Sequence, residues 1–323
     1  MAAVKQTKNT HSTTKSQSKF FVHYNTIDIY VLGLSSIYIL LCILFFNKIE
    51  WSGRLIGLNI LIALFVTAIA YFNNRKNSII LDVTHNFYVV PLIPVMFKQV
   101  FFFIPVVHPH DYDSLLITWD RAIFGANPTE VLGQFTHPFL TEFLQFCYVS
   151  FFFQGLAQGI EMYISKRKEA VRTVARMIGF GLFVSYILYF ILPAIGPRFT
   201  VHDFANLSNE IPGLWFTEPM RNFINAGDNI SIGELHPALV VNRDCMPSGH
   251  TMVTVMNIIL AFQLRSKQRW IFLVIGSCLI YSTVYLRYHY AVDVIAGILF
   301  AFIVMWLEPK LWQLLLAKKW AAK

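Results

Sequence analysis

Charge is scarce in this chain. Asp, Glu, Lys and Arg make up 14% of its 323 residues, against roughly 25% in soluble domains, and with 56% hydrophobic residues this excludes an ordinary soluble globule. Cysteine is scarce too: of the four, Cys42, Cys147 and Cys278 lie inside apolar runs and only Cys245 falls in a loop. That pattern gives neither a disulfide framework nor a zinc-ligand spacing. The apolar runs are continuous and do not alternate, which excludes a β-barrel. No internal repeat is visible, whereas transporters are commonly built from repeated halves. Residues 1–19 lack the apolar stretch and cleavage site of a signal peptide; rich in Ser, Thr, Lys and Gln, they read as part of a disordered cytosolic tail over 1–22.

What is present is a series of long apolar segments. A bilayer core about 30 Å thick needs about 20 such residues per helix, and candidate spans run over 27–46, 55–72, 79–107, 138–160, 177–192, 250–264, 270–286 and 289–307. The reading is an all-α integral membrane protein with about eight transmembrane helices. The third span carries Pro91, Pro94, Pro105 and Lys98, so a kink or partial break is expected there. The net charge of +8 does not point to nucleic acid, because the positive residues sit in inter-helix loops and tails rather than on one face. Arg75, Lys76, Lys166, Arg167, Lys168, Arg265 and Lys267 fall on one side with both tails. The other side receives only Lys48, Arg54, Arg121, Arg198, Arg221, Arg243 and Arg287. The positive-inside bias places both termini in the cytosol and the long segments 108–137 and 196–247 outside.

Three segments distant in sequence end at that outward face. The fifth span closes on Pro193, Gly196, Pro197 and Arg198, the sixth opens on Cys245-Met246-Pro247-Ser248-Gly249-His250, and the last two meet around Arg287-Tyr288-His289-Tyr290-Ala291-Val292-Asp293. His289 and Asp293 are four apart, so on a helix they share a face and the carboxylate can orient the imidazole, leaving the other nitrogen as a nucleophile. A charge within a span costs about 2.5 to 3.5 kcal/mol on insertion scales, so Asp293 calls for a partner or a function. Pro247-Ser248-Gly249-His250 opens a helix, where free N–H groups and the dipole favour an anion. Ser248 adds a donor, Gly249 lets the backbone approach, and His250 can protonate a leaving alkoxide. Arg198 and Arg287 can hold phosphoryl oxygens bidentately. Each feature alone has a plainer alternative: a membrane-edge capping pair, an ordinary helix start, or arginines that snorkel to the headgroups.

Together the three segments resemble the signature of the type 2 phosphatidic acid phosphatase superfamily, and in detail look closest to its inositol phosphorylceramide synthase-like branch, the wording from His289 to Val294 included. The resemblance implies a six-helix catalytic core over 79–308, two accessory helices within 23–78 and a basic cytosolic tail over 309–323. It implies that His289 is a nucleophile forming a phosphohistidine, Asp293 its orienting carboxylate and His250 the general acid, with Ser248, Gly249 and Arg198 binding phosphate. Two positions depart from the family pattern: Ile191 stands where its first-motif lysine falls and Thr283 where its third-motif arginine falls. Arg287, one helical turn beyond Thr283, can serve the vacated place. Lys98 is a candidate for the missing lysine, or else snorkels to the headgroups.

The implied activity is that of a lipid phosphotransferase or lipid phosphatase acting on a lipid phosphate or phospholipid, with a lipid alcohol as a possible acceptor, no nucleic acid and no cofactor or metal. The alternative is a non-catalytic phosphate- or lipid-binding transporter or scaffold. His108-Pro109-His110-Asp111-Tyr112-Asp113 has metal-binding residue types without a recognised ligand spacing. Trp119, Asp120 and Arg121 read as part of an amphipathic helix on the outer interface, and residues 207–232 as an interfacial lid.

Overall fold

The computed structural model describes residues 24–76 and 78–321; the tail expected over 1–22 lies outside the described residues. Among these the protein is helical, with no strand. α1 (Thr26–Leu44) and α2 (Ser52–Arg75) form the accessory pair. At the start of α1 the Asp28 carboxylate folds back to accept from the Asn25 backbone N–H at 2.7 Å, a capping arrangement that satisfies an otherwise free group. The third span is divided into α3 (Ile79–Phe87) and α4 (Val89–Val107). Pro91 accounts for the break at Tyr88, since it has no N–H to return to the Phe87 carbonyl and its ring crowds that oxygen; Pro94 and Pro105 are carried inside α4.

α5 (Asp113–Phe124) and the short α6 (Pro128–Gly133) lead into α7 (Pro138–Val149) and α8 (Phe151–Ile164), which share the fourth span and part at Ser150. α9 (Lys168–Leu188) is followed by the short helices α10 (Pro197–Thr200), α11 (Leu207–Glu210), α12 (Thr217–Gly227) and α13 (Pro237–Val240). α14 (Gly249–Gln263), α15 (Arg269–Tyr285) and α16 (Ala291–Ala317) complete the fold. α16 carries on past residue 308, with Pro309 inside it. Thr26–Leu44, Ser52–Arg75, Ile79–Val107, Lys168–Leu188 and Ala291–Ala317 are long and apolar enough to cross a membrane, and Arg269–Tyr285 is apolar but shorter. The protein is an all-α integral membrane protein.

α14 is the hub, packing on α8, α9, α15 and α16. Its neighbours approach through glycine: a Cβ on Gly181 would lie 2.8 Å from Met256 Sδ, and one on Gly297 would lie 2.7 Å from Ser248 O. Small residues at such crossings let membrane helices close to van der Waals packing. α1 docks on α9, and a buried polar clamp reinforces that junction. Arg176 of α9 pairs with Glu308 of α16, while the Tyr30 hydroxyl of α1 donates to Glu308 Oε1 at 3.0 Å. The 207–240 region presents bare apolar side chains, with Trp215 80%, Ile232 89% and Leu235 84% exposed.

Candidate active site

The three sequence segments meet. Gly196 has φ +98, and a Cβ there would lie 2.9 Å from the Tyr288 carbonyl oxygen and 3.4 Å from Cys245 Sγ. Glycine alone allows both that backbone and that approach. Cys245 N–H donates to Ala194 O at 3.2 Å and Ser248 N–H to Asp293 O at 3.1 Å, which ties the second segment to the first and the third. Arg287, at φ 66, makes the left-handed turn between α15 and α16.

His289 therefore precedes α16 instead of lying on it, and its relation to Asp293 differs from the expected i,i+4 bond. The Nδ1 to Oδ2 separation is 3.6 Å, whereas Nδ1 lies 3.0 Å from the Cys245 carbonyl oxygen. Asp293 Oδ2 accepts instead from Cys245 Sγ at 2.8 Å and from Tyr290 N at 2.9 Å. The carboxylate holds the loop that carries His289, and Cys245 stands between the two. Burial and the adjacent Asp293 push the Cys245 thiol well above its usual range, so it is a donor and not a thiolate. On the other edge, His289 Nε2 lies 3.5 Å from His250 Nδ1. His250 is sandwiched between Tyr148 and Phe151, with ring centroids at 4.6 and 4.3 Å. The stack continues from Tyr148 to Tyr288 at 4.3 Å and to the Arg198 guanidinium at 5.0 Å.

The expected phosphate ligands are placed unevenly. Ser248 is buried and caps α14 by accepting from Thr251 N at 3.2 Å, so its hydroxyl oxygen is in use while its hydrogen is free. Gly249 lies against the Tyr189 hydroxyl with no room for a side chain. Arg198 is buried and donates to Asp228 Oδ2 at 2.5 Å and Asn225 Oδ1 at 3.0 Å. Lys98 reaches the same loop, donating to Gly227 O at 2.5 Å and Asn229 Oδ1 at 2.7 Å. Arg287 is turned elsewhere, its guanidinium paired with Glu210. Of the two vacated family positions, Ile191 is 59% exposed and faces outward, while Thr283 is buried with its hydroxyl returned to Ile280 O at 2.7 Å.

Several residues were not assigned to this site from the sequence. Asp113 accepts from Ile195 N at 3.1 Å, Gly196 N at 2.9 Å and the Tyr290 hydroxyl at 2.8 Å. Asp120 accepts from Ala291 N at 3.0 Å and Val292 N at 2.8 Å, the free donors at the start of α16. Burial lifts both carboxyls above their usual range, against the pull of those backbone donors. Their spacing of seven places them on one face of α5, and that was the available signal. Glu142 gathers the backbone N–H groups of Leu214, Trp215, Phe216 and Thr217 at 2.9 to 3.2 Å, anchoring the 207–232 segment expected as a lid. Asp244 lies near Asp228 and is pushed up to about 7, by burial first and then by that neighbour.

Beside His250 opens a cavity of about 670 Å³, bounded by α4, α8, α9 and α14, with Lys98, Asp228 and Asp244 among its polar lining. Its wall follows α9 from Val171 to Tyr189, a depth of about 27 Å at 1.5 Å per residue. Phe223 and Ile224 of α12 close one part of it. Among the described residues, the one cluster with metal-ligand types is Cys245, His289 and Asp293, whose ligand atoms lie within 4.8 Å of one another. His108, in the other segment with such residue types, has both ring nitrogens engaged, by Phe190 O at 2.8 Å and the Tyr112 hydroxyl at 2.9 Å.

Two apposed imidazoles, a capped helix start and a buried guanidinium, set at the edge of an apolar membrane cavity, are the equipment for chemistry on an anionic group of an apolar molecule. No curated protein and no solved structure matches the chain. The family model described as PAP2 superfamily matches residues 114–307, a stretch that runs from α5 into α16 and takes in all three segments, and the chain belongs to that superfamily.

Proposed function

We propose that the protein is a lipid phosphotransferase working through a phosphohistidine on His289, with hydrolysis as the same chemistry when water is the acceptor. The observation that carries this reading is the 3.5 Å approach of His289 Nε2 to His250 Nδ1 beside the apolar cavity. In the first half-reaction Nε2 attacks phosphorus, the bond from phosphorus to the departing lipid oxygen breaks, and His250 gives that oxygen its proton. In the second, an alcohol gives its proton to His250 and attacks the phosphohistidine, which restores His289. Arg198, Lys98 and the start of α14 supply positive charge for the phosphoryl oxygens. The aromatic walls around His250 keep bulk water from the phosphohistidine, which favours a lipid alcohol as acceptor and supports the inositol phosphorylceramide synthase-like assignment. The distribution of Lys and Arg supports an extracytoplasmic site.

A second reading, a non-catalytic phosphate- or lipid-binding transporter or scaffold, rests on the engagement of both guanidiniums, Arg198 by Asp228 and Arg287 by Glu210. One experiment separates the two. Purified protein is given phospholipid or lipid phosphate labelled at phosphorus, with and without a lipid alcohol, and both the products and acid-labile label on the protein are followed. Catalysis predicts label on the wild type, none on His289→Ala, and a rate lower by about 10² to 10⁴ in His250→Ala. Unchanged lipid and unlabelled protein leave the binding reading in place. Free phosphate from a lipid phosphate, or a soluble phosphate ester from a phospholipid, as the sole labelled product under every acceptor means hydrolysis alone.

A further inference from the structure

Cys245, His289 and Asp293 bring three kinds of donor atom onto one small triangle. Cys245 Sγ lies 3.6 Å from His289 Nδ1 and 2.8 Å from Asp293 Oδ2, and Nδ1 lies 3.6 Å from that same oxygen. A point in the plane of the triangle is about 2 Å from all three atoms, and zinc bonds to nitrogen, oxygen and thiolate sulfur measure about 2.0, 2.0 and 2.3 Å. A tetrahedral centre with those bonds has edges of about 3.3 to 3.6 Å. Two edges already match, and the 2.8 Å edge widens by about 0.8 Å once the thiol proton that bridges it is gone. The side chains are 4%, 5% and 0% exposed. A divalent ion with one thiolate, one carboxylate and one neutral imidazole sums to zero charge, which lowers the cost of burying it. Asp293 Oδ1 is buried without a partner among the described residues, so the carboxylate has an acceptor to spare. The surrounding hydrogen bonds are in place as well. Tyr290 N–H donates to Asp293 Oδ2 at 2.9 Å, and His289 Nε2 faces His250 Nδ1 at 3.5 Å, the partner that a ligating imidazole needs for its other N–H. Asp244, next to Cys245, lines the adjoining cavity together with Asp228 and offers a cation an acidic approach.

We infer that Cys245 Sγ, His289 Nδ1 and Asp293 Oδ2 form a binding site for a zinc-class divalent cation and, resting on the phosphohistidine reading of His289, that the bound ion shuts the nucleophile off. As the metal–sulfur bond forms, the Cys245 thiol proton leaves to solvent. Nδ1 gives its lone pair to the ion and gives up the proton it shares with the Cys245 carbonyl oxygen, and the ring's single proton settles on Nε2. Nε2–H then donates to His250 Nδ1 and has no lone pair left for phosphorus. Metal and phosphoryl group exclude each other on one ring. Mg2+ and Ca2+ do not suit the site, since both take shells of six or more ligands built from oxygen.

The test uses the full chain purified in detergent without a histidine tag, and the probes are Co2+ and Zn2+ themselves. Co2+ should give tetrahedral d–d absorption together with a thiolate-to-cobalt charge-transfer band, saturating at one ion per chain, bleached by Zn2+ and untouched by excess Mg2+. Cys245→Ala should lose the charge-transfer band and bind Zn2+ at least about 10- to 100-fold more weakly, the loss that even an outer partner of a ligand brings, while Cys278→Ala keeps both. X-ray absorption of the zinc-loaded wild type needs no variant and should find one sulfur at about 2.3 Å. Phosphorus label on the wild-type protein should be lost with one equivalent of Zn2+ and return with a chelator. A cobalt spectrum without charge transfer, a zinc shell without sulfur, or Cys245→Ala binding like the wild type overturns the site. Zinc bound through sulfur with undiminished labelling overturns the block on His289. Zinc bound through sulfur in a protein that never takes label retains the site and removes the phosphohistidine reading instead.

Discussion

At the scale of single residues, Asp244 is the anomaly: a carboxyl beside a site read as binding phosphate. Pushed up to about 7, it is neutral below that pH and charged above it, where it repels a phosphoryl group. KM for a lipid phosphate should therefore rise by up to about tenfold per pH unit above 7, and Asp244→Asn should flatten that rise. Comparison with the variant removes the contribution of the substrate's own ionisation. The same shift bears on stability. The folded carboxyl holds its proton where the unfolded one, near 3.9, has lost it, so stability falls as pH rises from about 4 to 7 and the full penalty stands above 7. Asp244→Asn should raise the melting temperature at pH 8 and leave it nearly unchanged at pH 4; equal KM slopes in both proteins would remove Asp244 from the site. Sequence spacing was enough to single out His289, Asp293 and His250, because each sits in a motif with fixed offsets. It could not single out Asp244, whose neighbour Asp228 is sixteen residues away and comes close only through the path of the 207–240 segment. Nor did it foresee Cys245 between His289 and Asp293, since that geometry depends on His289 preceding the helix.

At the scale of elements, α5 acts as a brace. Through Asp113 it holds the Ile195-Gly196 turn and through Asp120 the first N–H groups of α16. Asp120→Ala leaves two buried donors unpaired, at about 1 to 3 kcal/mol each, and loosens the loop bearing His289. The expected result is a lower kcat with a lower melting temperature, whereas Asp120→Asn, which keeps one acceptor oxygen, should lie between Asp120→Ala and the wild type. The clamp between α9 and α16 makes a second case. Arg176→Ala strands Glu308 in a buried setting and should cost about 3 to 5 kcal/mol in a melt or denaturant series, while replacing both by apolar residues should recover much of it. α2 was legible within three residues at each end because the bilayer fixes its length, whereas α16 was legible at its start but runs ten residues beyond the expected end at 307. The parting of α7 from α8 was not, for Ser150 carries no helix-breaking signature. The partners of α5 were not either, since the sequence displays a polar face without saying what covers it.

At the scale of the whole molecule, the unequal distribution of Lys and Arg sets a testable orientation. A reporter fused after Lys323 should be cytosolic, and a cysteine introduced at Ser231, a polar exposed position, should react with an impermeant maleimide added from outside. A protected Ser231 position with an exported reporter would invert the topology. The bare apolar side chains of Trp215, Ile232 and Leu235 carry a different consequence. A surface of that kind rests in the headgroup layer, so molecules are sampled by lateral diffusion in two dimensions. For an enzyme of that kind the controlling concentration is the mole fraction of substrate in the leaflet. Adding inert phospholipid at constant bulk substrate then slows the reaction by surface dilution alone, with every residue of the site unchanged.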